Sequence, residues 1–147
     1  MNNNHQIGTI TDIRYVEIGG GMQCEVKVLV NGRDTNWLPK SASVGGAFKM
    51  HVPPRVGDQV TVINPNGNNE DGYVTSNIAF EKVPHHKEIN GDKIVMWAED
   101  GTTYIHDIKE NIITLETPCK VNLSAPVVDV IGVVNIIGSL TLNGVPL

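Results

Sequence analysis

Aromatic residues are scarce in this chain: two Trp, three Tyr and two Phe make up 5% of its 147 residues. Charged residues are few as well, at 18%, whereas glycine, with 15 copies, is plentiful. That balance favours a turn-rich, all-β protein over a helical bundle. The eleven Lys and Arg are scattered and the formal net charge is −5. Binding to a phosphate backbone needs clustered cations, so no nucleic-acid partner is expected. No run is long and apolar enough for a transmembrane helix. Met1-Asn-Asn-Asn-His-Gln contains no basic region followed by an apolar run. No signal peptide is therefore expected, and synthesis and at least initial residence are assigned to the cytoplasm. The two cysteines, Cys24 and Cys119, lie far apart in sequence. They are expected to be buried, reduced thiols rather than a disulfide or a metal pair.

The strongest positive signal is a repeat near the C-terminus. Its units read Ile113-Thr-Leu-Glu-Thr-Pro, Val121-Asn-Leu-Ser-Ala-Pro, Val128-Asp-Val-Ile-Gly-Val, Val134-Asn-Ile-Ile-Gly-Ser and Leu140-Thr-Leu-Asn-Gly-Val, with starts 8, 7, 6 and 6 residues apart. Each opens apolar, polar, apolar, which in an extended chain gives one oily and one wet face. Each has a small residue or Thr at its fifth place, as turn punctuation. Short strands at a short fixed period mark a β-helix or solenoid rather than a sandwich.

Upstream the grammar differs. Ile7-Gly-Thr-Ile-Thr-Asp-Ile reads as a strand. Met22 to Val30 alternates and ends in Asn31-Gly32, a hairpin signal. Arg33-Asp-Thr-Asn-Trp-Leu-Pro continues on the far side, and Ser41 to Ala47 reads as a loop. Pro54-Arg-Val-Gly-Asp leads into Gln59-Val-Thr-Val-Ile, and the turn from Asn64 to Gly72 leads into Tyr73-Val-Thr-Ser-Asn-Ile. Five strands and no helix predict a Greek-key barrel of OB type over residues 1–83. Residues 84–92 form a charged linker. Residues 93–147 form the rod, with two longer strands around Glu99-Asp-Gly as its wide base.

The apolar side of the last four repeat units is Val121, Leu123, Val128, Val130, Val134, Ile136, Leu140 and Leu142. At roughly 1.5–3 kcal/mol per fully buried side chain, these are worth up to roughly 12–24 kcal/mol per chain. A single ribbon leaves that face in water, and there are too few strands for several turns of a one-chain β-helix. Three chains wound together remove both difficulties, so a homotrimer is expected, with Asn122, Asp129, Asn135 and Thr141 facing outward.

Taken in order, Ile7-Gly-Thr-Ile-Thr-Asp-Ile, Trp37-Leu-Pro, Pro54-Arg-Val-Gly-Asp-Gln-Val-Thr-Val-Ile, Gly72-Tyr-Val, Asp100-Gly-Thr-Thr-Tyr-Ile-His-Asp and the Val-rich hexads resemble the baseplate assembly protein V family, the central tail spike of contractile-tailed phages. The resemblance covers nearly the whole chain. It implies a virion component of the tail baseplate, assembled in the host cytoplasm. It also implies OB domains docked on the tail hub protein and a trimeric β-helix needle driven through the host outer membrane on contraction. Many members hold an iron ion at the apex through a His-X-His motif. The histidines here are His5, His51, His85, His86 and His106, with no such pair, so no iron site or other cofactor is expected. The tip is then either closed by Val145 and Leu147 or, the reading preferred from sequence, capped by a small PAAR-like protein.

Other features carry plainer readings. His85-His86 belongs to a solvated linker, because adjacent side chains of an extended chain diverge. Glu70-Asp71 and Glu99-Asp100 sit in Gly-containing turns, with no nucleophile or partner acid to make them catalytic. Gly19-Gly20-Gly21 is a hairpin tip and not a phosphate loop. Gly45-Gly46 with Phe48 and Met50 is either a hub contact or an Ω-loop. Trp37 and Trp97 could stack bases, but core or interface packing fits their strand patterns better. An OB-type module binding nucleic acid or glycans, trimerised by its C-terminal strands, is the alternative function. An enzyme is not expected.

Overall fold

The computed structural model describes residues 4–44, 47, 49–68, 70–78 and 85–146. The chain divides into two compact units, Met1–Lys87 and Glu88–Leu147. Among the described residues every regular element is a strand.

The first unit is built on β1 (His5–Ile18), β2 (Gly21–Val30), β3 (Arg33–Asp34), β4 (Leu38–Pro39), β5 (Ser43–Val44), β6 (Lys49–Met50), β7 (Gln59–Ile63) and β8 (Tyr73–Ile78). The main sheet runs β3-β2-β1-β7-β8, and β4 also pairs with β2. Beyond β4, Lys40 forms a parallel bridge to Val74 of β8. The Ser41 N–H donates to Val74 O at 2.8 Å and the Lys40 N–H to Cys24 O at 2.9 Å. The sheet thereby closes on itself, as an OB barrel must. Closure satisfies the strand edges that would otherwise be open.

A long first strand makes this possible. The N-terminal part of β1 pairs with β7 from His5↔Ile63 to Thr9↔Gln59, and the rest pairs with β2 as far as Ile18↔Gly21. An irregularity between Ile10 and Asp12 bends the strand between its two partners. Gly8 lies where the sheet folds over itself. A Cβ there would sit 2.5 Å from Val28 Cγ1 and 2.7 Å from Leu29 O. Two-residue turns, Gly19-Gly20 and Asn31-Gly32, reverse the chain at the β1–β2 and β2–β3 hairpins with positive φ at both positions.

The core is what the alternation predicts. Cys24, Val26, Val28 and Val30 on β2 join Ile10, Leu38, Val60, Val62 and Val74. Buried polar groups serve the turns. The Thr35 hydroxyl accepts the Val28 N–H at 3.0 Å and thus stands in the ladder between β3 and β4. Asp58 accepts the Arg55 N–H at 2.9 Å through its carboxylate. Its backbone carbonyl accepts the Ile10 N–H at 2.9 Å, and Gly57 donates back to Ile10 O at 2.8 Å. The Pro54-Arg-Val-Gly-Asp motif is therefore a turn pinned onto the bend of β1.

Two expectations need correction. The stretch from Ser41 to Ala47 is not all loop, because β5 pairs with β6 (Ser43↔Met50, Val44↔Lys49). Cys119 is exposed, and only Cys24 is buried. Burial pushes the Cys24 thiol pKa up and, on the same grounds, the Lys40 ammonium pKa down. Gly45, Gly46, Phe48 and Leu147 lie outside the described residues.

The second unit begins with a meander of β9 (Lys93–Trp97), β10 (Thr103–Asp107) and β11 (Ile112–Glu116), in the order β11-β10-β9. In the β9–β10 turn, the Thr102 N–H donates to Asp100 Oδ1 at 2.8 Å. That bond holds the Asp100 carboxyl below its usual range. β9 and β10 fall where two strands were expected around Glu99-Asp-Gly, and β11 overlaps the first repeat unit. The last repeat unit is a hairpin: β12 (Thr141–Leu142) pairs with β13 (Val145–Pro146) across Asn143-Gly144. The three units between them form no strand with described residues of their own chain.

Candidate functional site

In the meander, the register sends Ile94, Met96, Tyr104, His106, Ile113 and Leu115 to one face. Four of them (Ile94, Met96, Ile113 and Leu115) are at least half exposed. The other face carries Val95, Trp97, Ile105 and Ile112 together with Lys93 and Asp107, which pair at 3.5 Å. The meander therefore bares apolar side chains on one side and mixes apolar with charged ones on the other.

The repeat continues this condition. The chain bends at Pro126, Gly132 and Gly138 and turns at Asn143-Gly144, a spacing of six residues. Gly132 and Gly138 have φ of 135° and 133°, values that side chains other than glycine rarely adopt. Between the bends the chain forms no strand among the described residues. Among the described residues, no backbone–backbone hydrogen bond involves residues 118–140.

The eight residues expected on the rod's oily side are all exposed in the single chain. Their exposure runs from 45% at Leu140 and 49% at Val121 to 79% at Leu123, with Val128, Val130, Val134, Ile136 and Leu142 between. Val145 is likewise exposed, opposite Leu142 in the hairpin. A second set was missed: Ile131, Val133 and Ile137 are 99%, 92% and 103% exposed. The signal was present in the sequence, since the fourth place of both middle hexads is Ile.

The barrel's outer surface offers a weaker site. The Arg14 guanidinium lies 4.4 Å from the centre of the Trp37 ring and Lys27 Nζ 5.2 Å from it. Arg14 also pairs with Glu25 at 2.7 Å. The indole is thus half-buried under two of its own cations. Beside it, Lys27, Arg33, Asp34, Thr35, Asn36, Gly67, Asn68 and Glu70 line a shallow cleft of about 780 Å³. Cations and carboxylates are balanced there, two of each, so the cleft offers a phosphate no excess of positive charge. Among the described residues, no three His, Cys, Asp or Glu side chains are grouped so as to hold a metal ion.

The family comparison agrees with the barrel. Residues 6–78 match the type VI secretion system/phage-baseplate injector OB domain. This part of the chain belongs to that family. The injector OB domain spans β1 to β8, including the closing bridge from Lys40 to Val74. No curated protein matches the chain.

Proposed function

We propose that the chain is the central spike of a contractile injection apparatus, working as a homotrimer. Its OB domain docks on the tail hub, and its repeat forms a three-chain β-helix that is driven through the host outer membrane. The work is mechanical, with no catalytic step and no cofactor. Its place is the tail baseplate of a virion, after assembly in the host cytoplasm.

The supporting observation is the unpaired stretch 118–140. A chain that bares its apolar side chains and whose peptide groups have no backbone partner among the described residues is stabilised when other strands supply both contacts. Three copies in the same register supply both. Each layer takes one strand from each chain, and the apolar sides meet on the axis. At about 4.7 Å between stacked strands, five units give roughly 25 Å of rod. At the tip, the β12–β13 hairpin pairs Leu142 with Val145 inside one chain. This supports closure by the chain itself over a PAAR-like cap.

The test is the mass of the full chain in dilute solution. The spike reading expects three times 15.9 kDa, about 48 kDa. A stable monomer overturns it. The alternative, a nucleic-acid or glycan module, would need the Trp37 surface to bind. Salt-dependent retardation of DNA, or retention on a glycan column, would favour that reading.

A further inference from the structure

We propose that Tyr104 and His106 form a polar ring between three copies of this chain at the base of the rod, in which the phenol of one copy donates to the imidazole of the next. This rests on the three-chain assembly above. There the first and third places of each unit face the axis, and in the first unit these are Ile113 and Leu115. The ladder sets Ile113 opposite His106 and Leu115 opposite Tyr104, and sets those two opposite Ile94 and Met96 of β9. All six therefore turn to the axis together. Charge argues for the same side. Lys93, Asp107 and Glu116 stand on the opposite face, and none of the six is an acid, a Lys or an Arg. An unpaired charge on a dry axis would be costly.

Tyr104 and His106 are the polar members of this face, and they sit on its middle strand. Both are half-buried by the flanking strands. Among the described residues, neither the Tyr104 hydroxyl nor the His106 imidazole has a hydrogen-bond partner in its own chain. Closing the face against two further copies takes water from both groups, and buried polar groups are costly when left unpaired. The face offers them only the same two groups on the neighbouring copies. A phenol donates and a neutral imidazole accepts, so each copy gives one bond and takes one, and three copies close the ring. The ring also fixes register. A slip of two residues would keep the apolar face inward but would part the two groups. Acid should open the ring, because an imidazolium has no lone pair to accept with. No acid or further base stands at the paired positions of β9 and β11 on this face to hold such a charge. Asp92, two residues before Ile94, is the acid beside it; it is exposed, and its carbonyl accepts the Ile108 N–H at 3.0 Å.

The experiment measures the mass of the full chain and the thermal midpoint of trimer dissociation at about pH 8 and about pH 5, which bracket the ordinary imidazole titration. On acidification the wild type is expected to lose at least about 3 °C more than His106→Gln, whose amide still accepts but does not titrate. The other four histidines titrate in both proteins, so the difference between them reports His106. At about pH 8, Tyr104→Phe and His106→Phe are each expected to lower the midpoint by leaving the other group unpaired. The double variant is expected to recover most of that loss. Equal losses on acidification in wild type and His106→Gln, or single losses that simply add, overturn the ring and leave the spike standing. Dissociation of the wild type by EDTA also overturns it, because the three imidazoles would then hold a metal ion. A monomeric wild type overturns the assembly and the ring together.

Discussion

Val26, Val28, Val60, Val62 and Val74 of the barrel are fully buried, yet Val128, Val130, Val133 and Val134 of the repeat are at least half exposed. The residue type is the same and the alternation is the same. The difference lies in how the chain returns. In the barrel, two-residue turns reverse direction, so each strand meets its neighbour. Bent β1 then serves two partners, and the Lys40–Val74 bridge closes the ring. In the repeat, the bends at Pro126, Gly132 and Gly138 redirect the chain without pairing it to itself. Only at Asn143-Gly144 does a reversing turn reappear, and there a ladder forms at once. Turn chemistry, more than strand propensity, decides whether an apolar row is satisfied within one chain or offered to others.

The most severe way to break this contrast is a charge in the offered row. In the proposed three-chain assembly, Val130→Asp or Ile136→Asp would bring three carboxylates together on a dry axis, at a cost of several kcal/mol each. Loss of the trimer, read by analytical ultracentrifugation, is expected, with the melting of the barrel unchanged. The reciprocal change acts on the other region. Leu38 is 1% exposed, and Leu38→Ala should destabilise the barrel by about 2–5 kcal/mol. Its denaturant midpoint should fall, while the assembled repeat keeps its mass.

A smaller effect is expected at the turn before β7. Asp58→Ala removes the acceptor for the Arg55 N–H, 2.9 Å away in a part-buried turn. A loss of about 1–3 kcal/mol of barrel stability is expected by urea titration. Asp58→Asn should recover part of it, because the amide oxygen can still accept.

These sites differ in how well the sequence announced them. Local rules exposed the barrel: Asn31-Gly32 as a hairpin, Met22 to Val30 as an alternating strand, and Gln59 to Ile63 as the strand that Pro54-Arg-Val-Gly-Asp leads into. What depended on contacts distant in sequence was not legible. The bend of β1 at Thr11 and the closing bridge arise from strands that meet only after folding. Cys119 was misjudged because its burial was inferred from residue type. It lies just after Pro118, where the β11 ladder has ended. The six-residue spacing of the bends at Pro126, Gly132 and Gly138 was readable because that period is itself local. Ile131 and Ile137 recur with the same period, at the fourth place of their units.

The finest test concerns which side of the repeat is which. Asn122 sits between Val121 and Leu123 and is exposed. If Val121 and Leu123 face the axis, alternation points Asn122 to water, and Asn122→Asp adds three well-hydrated charges to the outside of a trimer. Separated and screened by salt, they should alter stability by no more than about 0.5 kcal/mol. The trimer's thermal midpoint should barely move, and less at high salt than at low. If the register is shifted by one residue, every inward and outward position exchanges. Asn122→Asp would then break the assembly as thoroughly as Val130→Asp. Two variants with equal effect would therefore overturn the inward set, and a wide gap between them would fix it.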